Sequence, residues 1–232
     1  MIDCNGIFID SSNVEEIEKF HDMGIIRGVT TNPTIMVRGG VKGGLQGIEQ
    51  RSTEIARLVS PLPVSIEVLS NEPREMISQA IEFSSWAKNI NIKITIHGPN
   101  GELDNLKVIH ELETKHNIRV NATAMMSADQ CFLAAQAGAS FVSLFGGRVN
   151  DMGYDSSDQV TKLRNLLDLF NPESKIIIGS VREAFNICDW LSRGAHIVTV
   201  PPSFLETVLV HPYTKETVQM FLEDAKRLDV DG

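Results

Sequence analysis

The sequence predicts an α/β fold, a single-domain (β/α)8 barrel of the TIM type with a C-terminal helix, and three observations carry that expectation. Strand-like runs alternate with helix-like stretches from end to end of the chain. Eight such units in 232 residues match the arithmetic of this barrel. Several strands also have one apolar and one polar face. A closed barrel explains both faces, whereas the central strands of an open sheet covered on both sides by helices read as continuous apolar runs. A doubly wound open sheet is the alternative. No Pro/Ser-rich linker or low-complexity block divides the chain, so residues 1–232 read as one domain.

The strand candidates, in order, are GIFID (6–10), GVTTN (28–32), VSIEV (64–68), IKITI (92–96), RVNATA (119–124), FVSLF (141–145), KIIIGS (175–180) and HIVTVP (196–201). Helical spacing occupies the intervals: SNVEEIEKFHDMG, GLQGIEQRSTEIARLV, EPREMISQAIEFSSWAKN, NLKVIHELETKHN, SADQCFLAAQAGA, SDQVTKLRNLLDLF and VREAFNICDWLSRGA. Several of these open with Ser, Asp or Asn and close near Gly or Asn, which are the residues that cap helix ends. A last helix is expected over about 214–228.

The fourth strand poses the functional question. In INIKITI, isoleucine occupies 90, 92, 94 and 96, and Asn91, Lys93 and Thr95 fall between them. This period of two puts Lys93 on the face opposite the isoleucines. A solvated lysine on a half-exposed strand is the ordinary reading, since lysine is rarely buried without a partner. The other strands argue against it. Their polar faces hold Asp10, Thr30 and Asn32, Ser65 and Glu67, Asn121 and Thr123, Ser143 and Ser180, and a barrel gathers these near one mouth. Active sites of this fold lie at the C-terminal ends of the strands.

Composition bounds the chemistry. A formal net charge of −9, with no cluster of Lys and Arg, argues against a nucleic-acid partner. The three cysteines, Cys4, Cys131 and Cys188, are widely spaced without a CxxC, so a reducing, cytoplasmic compartment fits better than a disulfide framework. No apolar run approaches the roughly 18 residues of a membrane span. The six histidines form no HExxH or compact cluster, and no metal or cofactor is expected. RGGVKGGLQG (38–47) lacks the order of a nucleotide-binding loop and reads as a mobile segment near the mouth that could act as a lid. His97, just beyond the lysine strand, is a further candidate for substrate contact, and Trp86 and Trp190 read as core or interface anchors.

A lysine in a crowded, poorly hydrated site can act as a nucleophile toward a carbonyl. The protonated imine then withdraws electrons, so an adjacent carbon–carbon bond can be broken or made without a metal. Asp10 and Glu67 are the carboxylates on the same inward face, and a buried ion network is their alternative role. Arg148 and Arg182 follow strands six and seven, where this fold often binds phosphate and where arginine suits bidentate recognition. A phosphorylated substrate follows from that pairing.

GVTTNPTIM, VSIEV, IKI, NATAMMSADQCFLAAQAGASFVSLFGGRVND, GSVRE and HPYTKETVQMFLEDAKRL together resemble the transaldolase family, in the short form related to fructose 6-phosphate aldolases. The resemblance implies an enzyme that moves a dihydroxyacetone unit from a ketose phosphate, such as fructose 6-phosphate or sedoheptulose 7-phosphate, to an aldose phosphate within carbohydrate metabolism. It implies Lys93 as the Schiff-base nucleophile and Asp10 as the group that takes the hydroxyl proton. Glu67 and Thr123 would handle the water of imine formation. Thr31, Asn32, Asn121 and Ser143 would contact the dihydroxyacetone part, and Arg148, Ser180 and Arg182 the distal phosphate. Phe145 and Glu67 stand where the aldolases typically have tyrosine and glutamine, which favours transfer over release of free dihydroxyacetone. SLFGGR stands for the commoner SPFVGR and IKITIHG for an IKIP pattern, and a sulfonated ketose is an alternative substrate. The final helix would pack on a neighbouring subunit of a pentamer or decamer.

Overall fold

Alternation along each strand decides where its side chains go, and the computed structural model, which describes residues 4–228, closes the strands into a barrel on that basis. The strands are β1 (Gly6–Asp10), β2 (Val29–Thr30), β3 (Val64–Glu67), β4 (Ile90–Thr95), β5 (Val120–Met125), β6 (Phe141–Leu144), β7 (Lys175–Ile178) and β8 (Ile197–Val200). Each is parallel to the next, and β1 pairs with β8, so the closed arrangement holds and the open sheet does not. Around it run α1 (Val14–Asp22), α2 (Pro33–Arg38), α3 (Gly44–Leu58), α4 (Pro73–Ser85), α5 (Asp104–Lys115), α6 (Ala128–Gln136), α7 (Gly146–Asp151), α8 (Ser156–Phe170), α9 (Phe185–Ser192), α10 (Pro202–Leu209) and α11 (Pro212–Leu228).

Two apolar clusters result. The larger lies between strands and helices and takes one face of every strand, for example Ile9, Ile66, Ile92, Val142 and Val198, together with helix residues such as Phe20, Phe83 and Trp190. Trp190 is fully buried and its Nε1 donates to Ser156 Oγ at 2.8 Å, so its polar atom is satisfied. Trp86 stacks on Phe83 with ring centroids 4.3 Å apart. The smaller cluster, Phe8, Phe141, Ile177, Ile197 and Cys4, fills the lower barrel interior. Above it the same inward positions turn polar, one pleat further along: Asp10 after Phe8, Ser143 after Phe141 and Thr199 after Ile197.

Cap chemistry accounts for several helix starts. Asn13, Asn32, Ser127 and Asp155 each accept backbone N–H groups at the openings of α1, α2, α6 and α8. Three helices, α2, α7 and α10, have no counterpart among the sequence expectations; they span six to eight residues, too few for a helical period to stand out. The glycine-rich segment is shorter as a loop than expected, because Arg38 ends α2 and Gly44 opens α3. Helix α11 starts two residues before the expected 214 and buries no residue against the barrel; Tyr213, Val218, Met220, Phe221 and Leu222 are exposed. Among the described residues no helix is long and apolar enough to cross a membrane.

Candidate active site

Parallel register brings the polar ends of neighbouring strands together. Glu67 lies beside Lys93, Lys93 beside Asn121, Thr95 beside Thr123, and Asp10 beside Thr30. Lys93 is only 5% exposed, which rules out the solvated-lysine reading. Its Nζ donates to the Thr31 carbonyl at 2.9 Å and stands 3.4 Å from Glu67 Oε2.

A cavity of about 260 Å³ opens above this lysine at the C-terminal ends of the strands. Of the expected site residues, Asp10, Asn32, Lys93, Thr123, Ser143, Phe145, Arg148, Ser180 and Arg182 line it. Thr31, Glu67 and Asn121 do not line it; they stand behind the lining. Thr31 is fully buried and donates its hydroxyl to Ser65 O at 3.0 Å. Asn121 donates to Ser65 Oγ at 3.1 Å and accepts from Ser143 Oγ at 2.6 Å, so it orients Ser143. His97 is exposed beyond β4, with its Nδ1 2.7 Å from Gly98 O, and is not part of the lining.

Electrostatics differ across the cavity. Burial pushes the Asp10 carboxyl above the usual carboxylate range, opposed by the charge of Lys93 and the hydrogen bond from Thr30. That Thr30 Oγ1 lies 2.6 Å from Asp10 Oδ1 and 2.5 Å from Thr199 Oγ1. The Thr123 hydroxyl is buried without a partner among the described residues. It sits on a stretch of β5 where the register with β6 shifts and where Ala124 adopts φ 61°, a bulge of the kind that re-aims side chains beside active sites.

The arginines are held on the other side. Arg148 Cζ lies 5.4 Å from the Phe145 ring centroid, and Arg182 pairs with Asp151 at 3.2 Å. Gly147 explains how their two loops meet. A Cβ there would fall 1.7 Å from the Ser180 carbonyl oxygen, so only glycine lets α7 approach the turn after β7, where Ser180 itself has φ 61°. Gly146, which with Leu144 departs from the commoner motif, faces Trp190 and Ile178, which would stand 2.7 and 2.8 Å from a Cβ.

Sequence reasoning placed Thr30 on the inward polar face without giving it a role, and it missed other lining residues, among them Thr199 beside Asp10, and Thr34 and Arg38 on α2. A signal for the last two existed: Asn32 followed by Pro33 is a helix start, and 34 and 38 share one helical face. Arg38 makes this a cavity with three arginines. Among the described residues no group of His, Cys, Asp and Glu side chains is arranged to hold a metal ion.

Comparison with known proteins places this lysine-centred barrel. A family model described as Transaldolase/Fructose-6-phosphate aldolase matches residues 7–232. The chain belongs to the transaldolase/fructose-6-phosphate aldolase family. Within that enzyme family it is 35% identical over 223 residues to a "Probable transaldolase" of Leptospira biflexa serovar Patoc, covering 96% of this chain and 99% of that one. It is 39% identical over 222 residues to a protein of the same name in Desulforudis audaxviator, covering 96% and 98%. Solved structures share the barrel at lower identity. Dihydrodipicolinate synthase from Rhodopseudomonas palustris has a TM-score of 0.62 at 12% identity, over 96% of this chain and 80% of that one. A soluble mutant of (S)-mandelate dehydrogenase from Pseudomonas putida has a TM-score of 0.57 at 11% identity, over 85% and 67%. At such identity these two speak only for the fold, whereas the whole-chain matches carry the transaldolase/fructose-6-phosphate aldolase assignment.

Proposed function

We propose that the chain is a transaldolase that carries a dihydroxyacetone unit on Lys93 from a ketose phosphate to an aldose phosphate. The observation that carries the reading is the buried Lys93 ammonium, 3.4 Å from Glu67, in a cavity that also holds the Asp10 carboxylate and two arginines predicted for a phosphate.

The chemistry follows from the placement. The neutral Lys93 amine adds to the ketone carbon, and loss of water gives a protonated imine. Glu67, beside Nζ, and the unpartnered Thr123 hydroxyl hold and move that water. Asp10 then takes the proton of the hydroxyl on the far carbon of the bond that breaks, and that oxygen becomes the carbonyl of the departing aldehyde. The carbon–carbon bond cleaves, its electron pair passes into the iminium, and an aldehyde leaves. The bound enamine attacks the acceptor aldehyde, Asp10 returns its proton, and hydrolysis frees Lys93. Asn32 and Ser143 contact the dihydroxyacetone hydroxyls, Asn121 holds Ser143, Thr31 holds the lysine through its carbonyl, and Arg148, Ser180 and Arg182 take the phosphate. Phe145 lines the cavity as an apolar wall that offers no hydroxyl to the enamine.

The unpartnered apolar side chains of α11 support a homo-oligomer in which this helix covers a neighbouring subunit. Acidic net charge and scattered cysteines support a cytoplasmic setting.

The test is borohydride trapping with fructose 6-phosphate, with peptide mass mapping, alongside turnover with erythrose 4-phosphate as acceptor. A reduced adduct on Lys93 and turnover only with acceptor are expected. Release of dihydroxyacetone without acceptor would make the chain an aldolase instead, and no adduct in folded protein would overturn the Lys93 mechanism or this donor.

A further inference from the structure

The opposite end of the barrel holds a larger cavity, of about 890 Å³, at the N-terminal ends of the strands. Its charged lining is one-sided: Arg57, Lys88 and Arg119 face it, with His116 beside them, and among the described residues no carboxylate does. In a chain of net charge −9 that is a local concentration of positive charge.

These four residues come from separate elements. Arg57 is in the last turn of α3, Lys88 precedes β4, His116 follows α5 and Arg119 precedes β5. Arg57 and Lys88 make no side-chain hydrogen bond or ion pair among the described residues, and Arg119 meets only the Phe141 ring, at 4.8 Å. Glu113, the acid that senses the Arg119 charge, is committed elsewhere: its Oε1 accepts from Val120 N at 2.6 Å and Ser140 N at 2.8 Å. Glu111 stands 3.8 Å from His116 and 3.6 Å from Lys115.

Complementing helix dipoles accounts for part of this set, since a cation in the last turn of a helix is favourable there. It covers Arg57. It does not cover Arg119, which precedes a strand, nor Asn91. Asn91 lines the same cavity at 2% exposure, and its Nδ2 has no hydrogen-bond partner among the described residues. A buried amide donor left unpaired is costly unless something accepts from it. Beside it, Asn89 spends both amide hydrogens on Ala56 O and Leu62 O, at 2.9 and 2.8 Å, which leaves its carbonyl oxygen as an acceptor for a hydroxyl.

We propose that this cavity binds a small organic bisphosphate, separately from the substrate cavity at the other end of the barrel. Three full cations exceed what one phosphate requires, and the volume lies in the range of small-molecule sites. Two phosphate groups span Arg57, Lys88 and Arg119, and the Asn91 amide donates to a phosphate or hydroxyl oxygen between them.

The test is calorimetric titration of the full chain with 2,3-bisphosphoglycerate, which has no ketone or aldehyde and so forms no imine with Lys93. Binding is expected to survive in Arg148→Ala/Arg182→Ala, whose changes lie at the other cavity. It is expected to weaken by about tenfold in Arg57→Ala/Lys88→Ala, two exposed positions whose loss leaves the fold intact, and further when Arg119→Ala is added. Transaldolase turnover should be unchanged in Arg57→Ala/Lys88→Ala without the probe. Inorganic phosphate should bind about tenfold or more weakly than the bisphosphate. No binding to the wild-type chain, binding lost in Arg148→Ala/Arg182→Ala, or unchanged affinity in Arg57→Ala/Lys88→Ala would each overturn the site. Equal affinity for inorganic phosphate would overturn the bisphosphate class.

Discussion

Glu67 Oε2 lies 3.4 Å from Lys93 Nζ, and this pair links the interior of the barrel to its chemistry. A buried ammonium needs a partner, and Glu67 supplies one while leaving the Thr31 carbonyl to hold the nitrogen in place. Lys93→Met should therefore abolish turnover while circular dichroism shows an intact fold, because an apolar chain of similar length replaces the cation. Glu67→Gln should keep the borohydride adduct but slow its formation by about a hundredfold or more, measured under single-turnover conditions. An active Lys93→Met variant would sink the Schiff-base reading.

In the proposed mechanism Asp10 sets the acid side of the rate profile. Its carboxyl is raised above the ordinary value of 3.8, chiefly by burial, and it must be ionised to take a proton. The acid limb of kcat/KM should thus lie above the range of an ordinary aspartate. Thr30→Val removes a hydrogen bond that favours the ionised form, so it should move that limb further toward alkaline pH. Asp10→Asn should lower kcat by about a hundredfold or more and remove the limb.

Close approach at Gly147 ties the two arginine loops together. In Gly147→Ala the new methyl meets the Ser180 carbonyl, and the loops must separate. Melting should show a loss of about 1–3 kcal/mol, and KM for a phosphorylated donor should rise more than kcat falls. Arg182→Ala should raise the same KM by about tenfold or more without the loss of stability, since Arg182 is half-exposed and paired only with Asp151.

His196 makes stability depend on acidity. Burial, with the charges of Arg164 and Lys175, lowers its folded pKa from 6.5 to about 4. Its Nδ1 accepts the Ile176 N–H at 2.9 Å, and Arg164 Nη1 is 3.1 Å from Nε2, so a protonated ring would set donors against donors. Between these two values the unfolded chain binds the extra proton, so stability contributed by His196 is present above 6.5 and is lost as pH falls toward 4. His196→Gln should flatten the dependence of the urea midpoint on pH in that window.

Helix α11 buries none of its described residues against its own barrel. If the proposed homo-oligomer forms through it, removing residues 212–232 should leave the barrel's helical and sheet signals and its melting cooperativity, while light scattering reports a smaller assembly than that of the full chain. A truncated chain that keeps the full assembly size would show that the interface lies elsewhere.

The periodicity of residues was enough to determine the barrel and the inward face of each strand. In INIKITI the isoleucines and Lys93 must separate to opposite sides, and the same rule aims Asp10, Thr123 and Ser143 inward. The paired arginines after strands six and seven were legible for the same reason, as strand ends converge in this fold. Depth was not legible. Lys93, Asn121 and Thr123 alternate identically, yet Asn121 lies behind the cavity and Thr123 lines it, because tilt and register between neighbouring strands decide the level of each residue. Arg38 and Thr34 reach the cavity only because a six-residue helix folds over β2, and Gly147 is explained only by the carbonyl of Ser180, 33 positions away in sequence and in contact in space. Local pattern determines which way a side chain points; its partners come from strands and loops distant in the chain, and only their packing decides what it meets.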